Sequence, residues 1–258
     1  MDVVLLCGGK GSRLSEETTI KPKPLVEIGG KPILWHIMKI YSDFGYNRFI
    51  LALGYKGDLI KKYFYEYKNI TSDYSLKLGP NDNIKYINKI KEEDWEIVCI
   101  DTGEDTLKGG RIKKIEPYVK SSKFHLSYGD GVCDINLNKL VKFHNSHNLI
   151  GTVTAVRPPS RFGELNINNE NIVTHLEEKA QMARGLINGG FFIFNKSLFS
   201  YLIDDVNCDF EFGPLQKISN EKQLKAYKHD GFWQCMDNVR ERNYLNELIN
   251  NREAPWLK

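Results

Sequence analysis

Short apolar runs alternate with segments of helical spacing through the first half of the chain. The apolar runs, which predict strands, cover about residues 2–7, 49–54, 95–101 and 124–128. Apolar residues recur at helical spacing over about 32–44, from Asp58 onward, and over about 110–119. Strands that alternate with helices in this way are typical of βαβ units. The pattern therefore predicts an α/β fold with a doubly wound, mostly parallel sheet.

The second half of the chain has a different pattern, with short apolar strands separated by turns rich in Asn and Gly. These predicted strands cover 151–156, 163–167, 172–177 and 191–194. They indicate a small β-rich region laid against the same sheet. Because no linker, internal repeat or low-complexity segment divides the chain, we predict a single domain over 1–258 with two halves, about 1–150 and about 151–258.

The first predicted strand ends in a glycine-rich loop, Cys7-Gly8-Gly9-Lys10-Gly11-Ser12-Arg13-Leu14. Glycines there let backbone N–H groups approach a polyphosphate without a Cβ in the way. Arg13, and Lys23 in the Lys-Pro-Lys-Pro stretch that follows, add positive charge for the phosphates. The residue order does not match a P-loop, and Leu14 stands at the third glycine position of the dinucleotide fingerprint. The loop therefore predicts a phosphate site and argues against a dinucleotide-dependent oxidoreductase.

Further polar residues follow the third and fourth predicted strands. They are Asp101–Arg111 and Asp130, which lies between two glycines in Tyr128-Gly129-Asp130-Gly131. Because ligands bind at the carboxyl ends of parallel strands, we expect these loops to meet the glycine-rich loop at one edge of the sheet. We assign Asp130 to a metal, and the alternative is that its Asp-Gly dipeptide forms a simple turn.

Composition narrows the class of protein. The net charge of +3 suits anionic small-molecule substrates and is far below the basic footprint of a nucleic-acid-binding domain. The five cysteines are widely spaced and include no Cys-x-x-Cys pair, so neither a disulfide framework nor a zinc site is indicated. The sequence contains no signal-peptide pattern and no apolar stretch of membrane length. We therefore expect a cytoplasmic protein that binds neither nucleic acid nor membrane.

Two motifs together resemble the signature of the sugar-phosphate nucleotidylyltransferases. They are Gly8-Gly9-x-Gly11-Ser12-Arg13-Leu14 and Lys21-Pro22-Lys23-Pro24-Leu25. Five further stretches are similar to the cytidylyltransferases that act on glucose 1-phosphate: 27–39, 128–131, 161–163, 188–192 and 232–234. The resemblance covers essentially the whole chain. It implies a Rossmann-like nucleotidyltransferase fold in which the first half binds the nucleotide and the second half binds the acceptor.

The resemblance also implies a reaction. A CTP-dependent enzyme of this kind joins CMP to a small phosphorylated acceptor, releases pyrophosphate and uses Mg²⁺. The implied catalytic residues are Arg13 at the β- and γ-phosphates, Lys23 at the α-phosphate, and Asp130, which shares the metal with Asp237. The implied nucleotide-binding residues are Leu6, Gly8, Gly9, Gly11, Ser12, Arg13, Lys23, Gly110, Arg111 and Asp130.

The acceptor-binding residues implied by the resemblance are Tyr128, Arg161, Gly163, Glu178, Lys179, Asn188, Gly189 and Trp233. Three of the implied roles have alternatives. Arg111 is otherwise a helix residue that faces water, and the pair Glu178-Lys179 is otherwise an exposed charge pair of little energetic value. Trp233 is otherwise a core residue, because tryptophans lie in cores more often than in ligand walls.

Four residues depart from the pattern of the family, all on the acceptor side: Ser160, Glu164, Ala180 and Arg184. An arginine and an added glutamate suit a zwitterionic acceptor, with Arg184 at its carboxylate and Glu164 at its ammonium group. We therefore expect either glucose 1-phosphate, for surface polysaccharide synthesis, or L-glutamine phosphate, for capsule phosphoramidate. A non-catalytic nucleotide-sugar sensor is the remaining alternative. The resemblance also implies a homo-oligomer.

Overall fold

A seven-stranded sheet runs through the computed structural model, which describes residues 1–79, 83–87, 93–159, 164–177 and 185–257. The strands are β1 (Asp2–Cys7), β2 (Glu27–Ile28), β3 (Lys31–Pro32), β4 (Arg48–Leu53), β5 (Tyr74–Lys77), β6 (Asn83–Tyr86), β7 (Glu96–Asp101), β8 (Lys123–Tyr128), β9 (Gly131–Cys133), β10 (Gly151–Val156), β11 (Glu164–Ile167), β12 (Val173–Glu177), β13 (Ile187–Asn195), β14 (Leu224–His229) and β15 (Trp233–Cys235). The helices are α1 (Ser15–Thr18), α2 (Ile33–Ser42), α3 (Gly57–Tyr65), α4 (Tyr67–Thr71), α5 (Lys108–Lys114), α6 (Leu137–Asn145), α7 (Gln216–Asn220) and α8 (Val239–Asn250). Turns of 3₁₀-helix cover Ser12–Leu14, Lys23–Leu25, Glu116–Tyr118 and Lys196–Tyr201, and a π-helical turn covers Glu211–Leu215.

The sheet is mostly parallel, as the sequence pattern predicts. Its order is β14-β10-β13-β8-β1-β4-β7. β1 is parallel to β4 and β8, β4 is parallel to β7, and β10 is parallel to β14. β13 alone among these seven runs antiparallel to both of its neighbours. β1 lies inside the parallel part, and all six of its residues are buried, which explains why residues 3–7 are all apolar.

Alternate residues of β1 enter two hydrophobic cores, one on each face of the sheet. Val3 and Leu5 belong to the core that contains Ile37 of α2. Val4 and Leu6 belong to the other core, with the apolar face of α5. Both faces are therefore covered, as a doubly wound sheet requires.

The strands of the second half extend the main sheet, whereas the sequence pattern predicted a region laid against it. β13 is longer than the predicted strand at 191–194, and it lies between β8 and β10. Phe191–Phe194 are all buried, on both faces of the strand, so this segment is suited to the inside of a sheet and not to a peripheral hairpin. β11 and β12 do form a separate two-stranded sheet.

Helix boundaries differ from the prediction where capping or proline decides them. α5 ends at Lys114 and not near residue 119, because Pro117 lies in the 3₁₀ turn that follows. The sequence analysis missed α6 and α8, although each begins with an asparagine side chain that accepts a backbone hydrogen bond, from Lys139 and Glu241 respectively. Within the described ranges, no helix combines the length and the apolar composition needed to cross a bilayer.

Candidate active site

The glycine-rich loop lies at the carboxyl end of β1, and two of its glycines have no room for a side chain. A Cβ on Gly8 would lie 2.2 Å from the Arg111 guanidinium. Gly11 has a φ of +64° and a Cβ there would lie 2.8 Å from Thr18 Cγ2, so only glycine adopts this conformation without strain. Its carbonyl accepts the Leu14 N–H at 2.9 Å. Leu6 is buried near the end of β1, whereas Gly9 and Ser12 in the loop are exposed.

Four charged side chains meet next to this loop and form what we call the charged centre: Arg13, Lys23, Asp130 and Asp237. Lys23 Nζ lies 2.7 Å from Asp130 Oδ2 and 2.6 Å from Asp237 Oδ1. Arg13 Nη1 lies 2.7 Å from Asp237 Oδ2. The Lys23 and Asp237 side chains are 10% exposed, and that of Arg13 is 70% exposed. The structure thus brings together all three predicted catalytic residues and both predicted metal ligands.

Local structure brings these residues to one point. Lys23 opens a 3₁₀ turn after Pro22, and Asp130 follows β8 at the carboxyl edge of the sheet. A Cβ on the intervening Gly129 would lie 2.8 Å from the Leu6 carbonyl oxygen, so Asp130 comes close to β1 only because residue 129 is glycine. Asp237 follows β15, which pairs with β9, and the Met236 N–H donates to the Asp130 carbonyl at 2.8 Å.

Lys23 and Asp237 keep each other ionised within the charged centre. Burial opposes ionisation of Asp237, but the hydrogen bond and charge of Lys23, together with the charge of Arg13, hold the pKa of its carboxyl below the ordinary value. Burial likewise opposes the Lys23 ammonium, but Asp130 and Asp237 raise its pKa. At neutral pH both partners are therefore charged, because each one stabilises the ionised form of the other.

Arg111 is buried behind the glycine-rich loop, with 4% of the residue exposed. Its guanidinium donates to the carbonyls of Gly8, Leu53, Gly103 and Glu104 and to the Thr102 hydroxyl, all at 2.7–3.0 Å. The alternative prediction of a residue facing water is therefore wrong. The residue before Arg111 is Gly110, and a Cβ at this position would lie 2.4 Å from the Asp205 carbonyl oxygen. Arg111 thus connects the loop after β1 with the loop after β7.

Four of the predicted acceptor residues form a second surface, which we call the acceptor wall: Tyr128, Asn188, Gly189 and Trp233. Asn188 Nδ2 donates to Tyr128 Oη at 3.0 Å, and Asn188 Oδ1 accepts the Gly190 N–H at 2.9 Å. Trp233 Nε1 donates to the Gly189 carbonyl at 2.8 Å. Trp233 is half-buried and packs against the hydrophobic core that contains Ile37, so its predicted contact with the acceptor stays a prediction. The structure places these residues at the ends of β8, β13 and β15.

Sequence reasoning missed two residues that contact the acceptor wall. Glu211 Oε1 accepts a hydrogen bond from Tyr128 Oη at 2.7 Å, and Lys108 Nζ lies 2.5 Å from the same oxygen. Burial and the charge of Glu211 raise the pKa of the Tyr128 phenol, which stays protonated. Glu211 lies in a segment with no recognisable motif, so only the fold brings it to Tyr128. Lys108 precedes two glycines at the start of α5, and a lysine in this position could have been identified from the sequence as a candidate site residue.

The remaining predicted acceptor residues lie outside the described part of the chain. These are Arg161, Gly163, Glu178, Lys179 and Arg184, together with the departing residues Ser160 and Ala180. Glu164 is described only as the first residue of β11.

Asp130 and Asp237 have the chemistry to hold a magnesium ion. Each places one carboxylate oxygen within 2.7 Å of a single cationic nitrogen, Lys23 Nζ. Two carboxylates that already converge on one cation are the hard oxygen ligands that Mg²⁺ uses, together with substrate phosphates and water. Cys235 and Glu241 also lie near Asp237, but the thiol is a soft ligand that suits other metals.

The fold and the charged centre define a nucleotide-handling enzyme, and comparison with known proteins identifies its family. The sequence model of the nucleotidyl transferase family matches residues 2–234. The chain therefore belongs to this family. It is 44% identical over 257 residues to the glucose-1-phosphate cytidylyltransferase of Salmonella typhimurium (strain LT2), and the match covers 99% of this chain and 98% of that protein. It is 41% identical over 256 residues to the Bacillus subtilis (strain 168) protein named "Probable glucose-1-phosphate cytidylyltransferase", with 99% of each chain covered.

A solved structure shares the fold over nearly the whole chain. The crystal structure of HddC from Yersinia pseudotuberculosis complexed with GMP-PN superposes with a TM-score of 0.67 at 26% identity, and covers 96% of this chain and 99% of that one. The predicted membership in the nucleotidylyltransferases is thus confirmed both by sequence and by fold.

Proposed function

We propose that this chain is a CTP-dependent cytidylyltransferase that joins CMP to glucose 1-phosphate, which forms CDP-glucose and releases pyrophosphate. The observation that carries the proposal is the charged centre, where Lys23, Asp130 and Asp237 meet beside the glycine-rich loop. Nucleotidyl transfer needs cations for the phosphates and carboxylates for a metal, and this centre offers both. The full-length similarity to the S. typhimurium glucose-1-phosphate cytidylyltransferase supports the choice of both substrates.

The reaction is a substitution at the α-phosphorus of CTP. A phosphate oxygen of glucose 1-phosphate forms a bond to this phosphorus, and the bond from the phosphorus to the oxygen that bridges to the β-phosphate breaks. The electron pair of the broken bond leaves with pyrophosphate. Because the attacking phosphate is already an anion, no side chain has to remove a proton. Catalysis then depends on the position of the two substrates and on neutralisation of their charge.

Each cation of the charged centre takes a phosphate partner in this proposal. Lys23 binds the α-phosphate, and the exposed Arg13 binds the β- and γ-phosphates that leave as pyrophosphate. Both exchange a carboxylate for a phosphate oxygen, so their charge remains neutralised before and after CTP binds. Asp130 and Asp237 would hold a Mg²⁺ ion, which when bound neutralises charge on the phosphates.

We also propose that the enzyme works as a homo-oligomer in the cytoplasm and supplies surface polysaccharide or capsule synthesis. The oligomer rests on the family resemblance. All five cysteines are free thiols in the structure, which suits a reducing compartment. A sugar nucleotide is an activated glycosyl donor, and polysaccharide synthesis consumes such donors.

Pyrophosphate release tests the proposal directly. CTP, UTP and dTTP are each paired with glucose 1-phosphate and with L-glutamine phosphate in the presence of Mg²⁺, and we expect release with CTP and glucose 1-phosphate. Release only with UTP or dTTP would contradict the cytidine assignment. Release with L-glutamine phosphate alone would replace the acceptor and make Ser160, Glu164, Ala180 and Arg184 the residues to examine for specificity. No release with any pair would favour the nucleotide-sugar sensor.

A further inference from the structure

Glu211 is joined to the acceptor wall although no motif in the sequence assigns it a role. It opens the π-helical turn Glu211–Leu215, and its side chain is 25% exposed. One carboxylate oxygen, Oε1, accepts hydrogen bonds from Tyr128 Oη at 2.7 Å and from Lys108 Nζ at 2.5 Å. The other oxygen, Oε2, is buried and has no hydrogen-bond partner among the residues that the structure describes. Such a carboxylate is costly to bury, so a reason for its presence is required.

The charge on Glu211 sets the direction of a chain of hydrogen bonds. A carboxylate only accepts hydrogen bonds, so the Tyr128 hydroxyl must donate its single proton to Glu211. The Tyr128 oxygen is then left as an acceptor, and it accepts from Asn188 Nδ2 at 3.0 Å. Each donor and acceptor along the chain from Glu211 to Asn188 is therefore fixed.

The far end of this chain is the exposed amide of Asn188. Its Oδ1 accepts the Gly190 N–H at 2.9 Å, and its Nδ2 donates one of two protons to Tyr128. Both ends of the amide are held, so the amide cannot rotate without breaking two hydrogen bonds. The second N–H of Nδ2 is the group that Asn188 offers to a ligand. A neutral N–H donor suits a hydroxyl oxygen of a sugar, whereas phosphates are bound best by cations.

Lys108 pairs with Glu211 and with the ring of Tyr128. Its ammonium contacts Glu211 Oε1 and also lies 5.2 Å from the centre of the Tyr128 ring. The contact with the ring face adds a cation–π attraction to the ion pair. Lys108 therefore fastens the carboxylate and the phenol to the first turn of α5, so that the wall is formed before an acceptor arrives.

We propose that Glu211 is a positioning residue for the acceptor: through Tyr128 it orients Asn188 so that this amide donates a hydrogen bond to a hydroxyl of the sugar phosphate. The inference rests on the proposed function, because it concerns the sugar acceptor of that reaction. Glu211 does not touch the reacting atoms. Its effect therefore falls on the affinity for the acceptor and leaves the affinity for CTP unchanged.

The test compares Glu211→Ala, Glu211→Gln, Tyr128→Phe and the double variant Glu211→Ala/Tyr128→Phe by steady-state kinetics. Glu211→Ala and Tyr128→Phe should each raise the KM for glucose 1-phosphate about tenfold, the value of one good hydrogen bond, and leave the KM for CTP unchanged. Glu211→Gln should retain most of the affinity, because its amide oxygen still accepts from Tyr128. The double variant should resemble either single variant, since both break the same chain.

A second Tyr–Glu pair provides the matched control. Tyr201 Oη donates to Glu221 Oε2 at 2.6 Å on an exposed surface, and Glu221→Ala should change neither KM. If Glu211→Ala does not fold, Glu211→Met, which keeps the length of the side chain but offers no acceptor to Tyr128, should show the same rise of about tenfold in the KM for glucose 1-phosphate alone.

Equal effects on both KM values, or additive effects in the double variant, would overturn the role of Glu211. Wild-type turnover with glucose 1-phosphate is measured in the same series. An inactive wild-type enzyme would overturn the proposed function. The difference between the effects on the KM for glucose 1-phosphate and on the KM for CTP decides only the role of Glu211.

Discussion

The charged centre and the acceptor wall lie at the same edge of the sheet but are stabilised in different ways. The charged centre consists of opposite charges in direct contact, with Lys23 Nζ between two carboxylates at 2.6 and 2.7 Å. The acceptor wall consists of directional hydrogen bonds, from Asn188 to Tyr128 and from Trp233 to the backbone. Charges in contact can exchange partners with little geometric demand, whereas a hydrogen-bond chain works only in one arrangement.

This difference matches the two substrates. CTP brings a triphosphate whose charge must be neutralised, and Lys23 and Arg13 can exchange carboxylate for phosphate without a cost in unpaired charge. The sugar phosphate brings hydroxyl groups that must be distinguished by position, and the wall offers fixed donors. Variants of the charged centre should therefore affect CTP binding and the chemical step, and variants of the wall should affect acceptor affinity.

The largest effect is expected from Asp130→Asn. The change removes one of two carboxylates for the metal while the size of the side chain is kept, so turnover at ordinary Mg²⁺ should fall by at least about 10³-fold. The melting temperature should stay close to that of the wild type. Asp43→Asn, at the residue that follows α2 and pairs with Lys39 at 3.1 Å, is the control and should retain full activity. A near-normal rate for Asp130→Asn would remove this residue from the metal site.

Arg111→Met should have the largest effect on stability. The change leaves the carbonyls of Gly8, Leu53, Gly103 and Glu104 without their buried donor. We expect a loss of about 4 kcal/mol in the free energy of unfolding, measured by denaturant titration. Arg240→Met at an exposed position should lose little. If Arg111→Met were equally stable, the proposed connection between the two loops would be wrong.

Lys23→Met should reduce stability in a pH-dependent manner. Removal of the buried cation leaves two carboxylates that lack its charge, which should cost about 3 kcal/mol at pH 7. In the folded protein the pKa of the Asp237 carboxyl lies below its ordinary value, although burial opposes its ionisation, because Lys23 and Arg13 stabilise the charged form. The stability that the ion pair adds is therefore present at neutral pH and is lost as pH falls through the lowered folded-state pKa. The difference in unfolding free energy between wild type and variant should therefore shrink below about pH 4. A difference that stays constant down to pH 3 would contradict the ion pair.

Lys10→Ala should have the smallest effect. Lys10 and Asp105 form an ion pair at 2.8 Å between the same two loops that Arg111 connects, but their side chains are 59% and 82% exposed. Solvent screens such a pair, so we expect no measurable change in the free energy of unfolding. A clear loss of stability would mean that exposed charges, and not the buried Arg111, hold the loops together.

The sequence was informative where local chemistry decides the structure. The glycines of the loop after β1, the apolar strand β1 itself and the charged residues Arg13, Lys23 and Asp130 follow from patterns within a few residues of each other. The convergence of Asp237 on Lys23 lies beyond such patterns, because β15 and β9 must pair before residues 214 positions apart can meet.

Long-range packing also explains what the sequence analysis missed. The position of β13 inside the sheet depends on which strands neighbour it and not on its own alternation. Glu211 contacts Tyr128 across 83 positions, and no property of the π-helical turn distinguishes it from an exposed acid. The burial of Arg111 has the same origin, since its partners come from the loops after β1 and β7 and from the end of β4.

The most direct test of the two-region account measures the KM for CTP and for glucose 1-phosphate in Arg13→Ala and Tyr128→Phe side by side. Loss of a charge-assisted contact should raise the KM for CTP by about tenfold or more in Arg13→Ala, with the KM for glucose 1-phosphate unchanged. Tyr128→Phe should show the opposite pattern. If both variants raised both KM values to the same extent, the charged centre and the acceptor wall would not serve separate substrates and the account would be wrong.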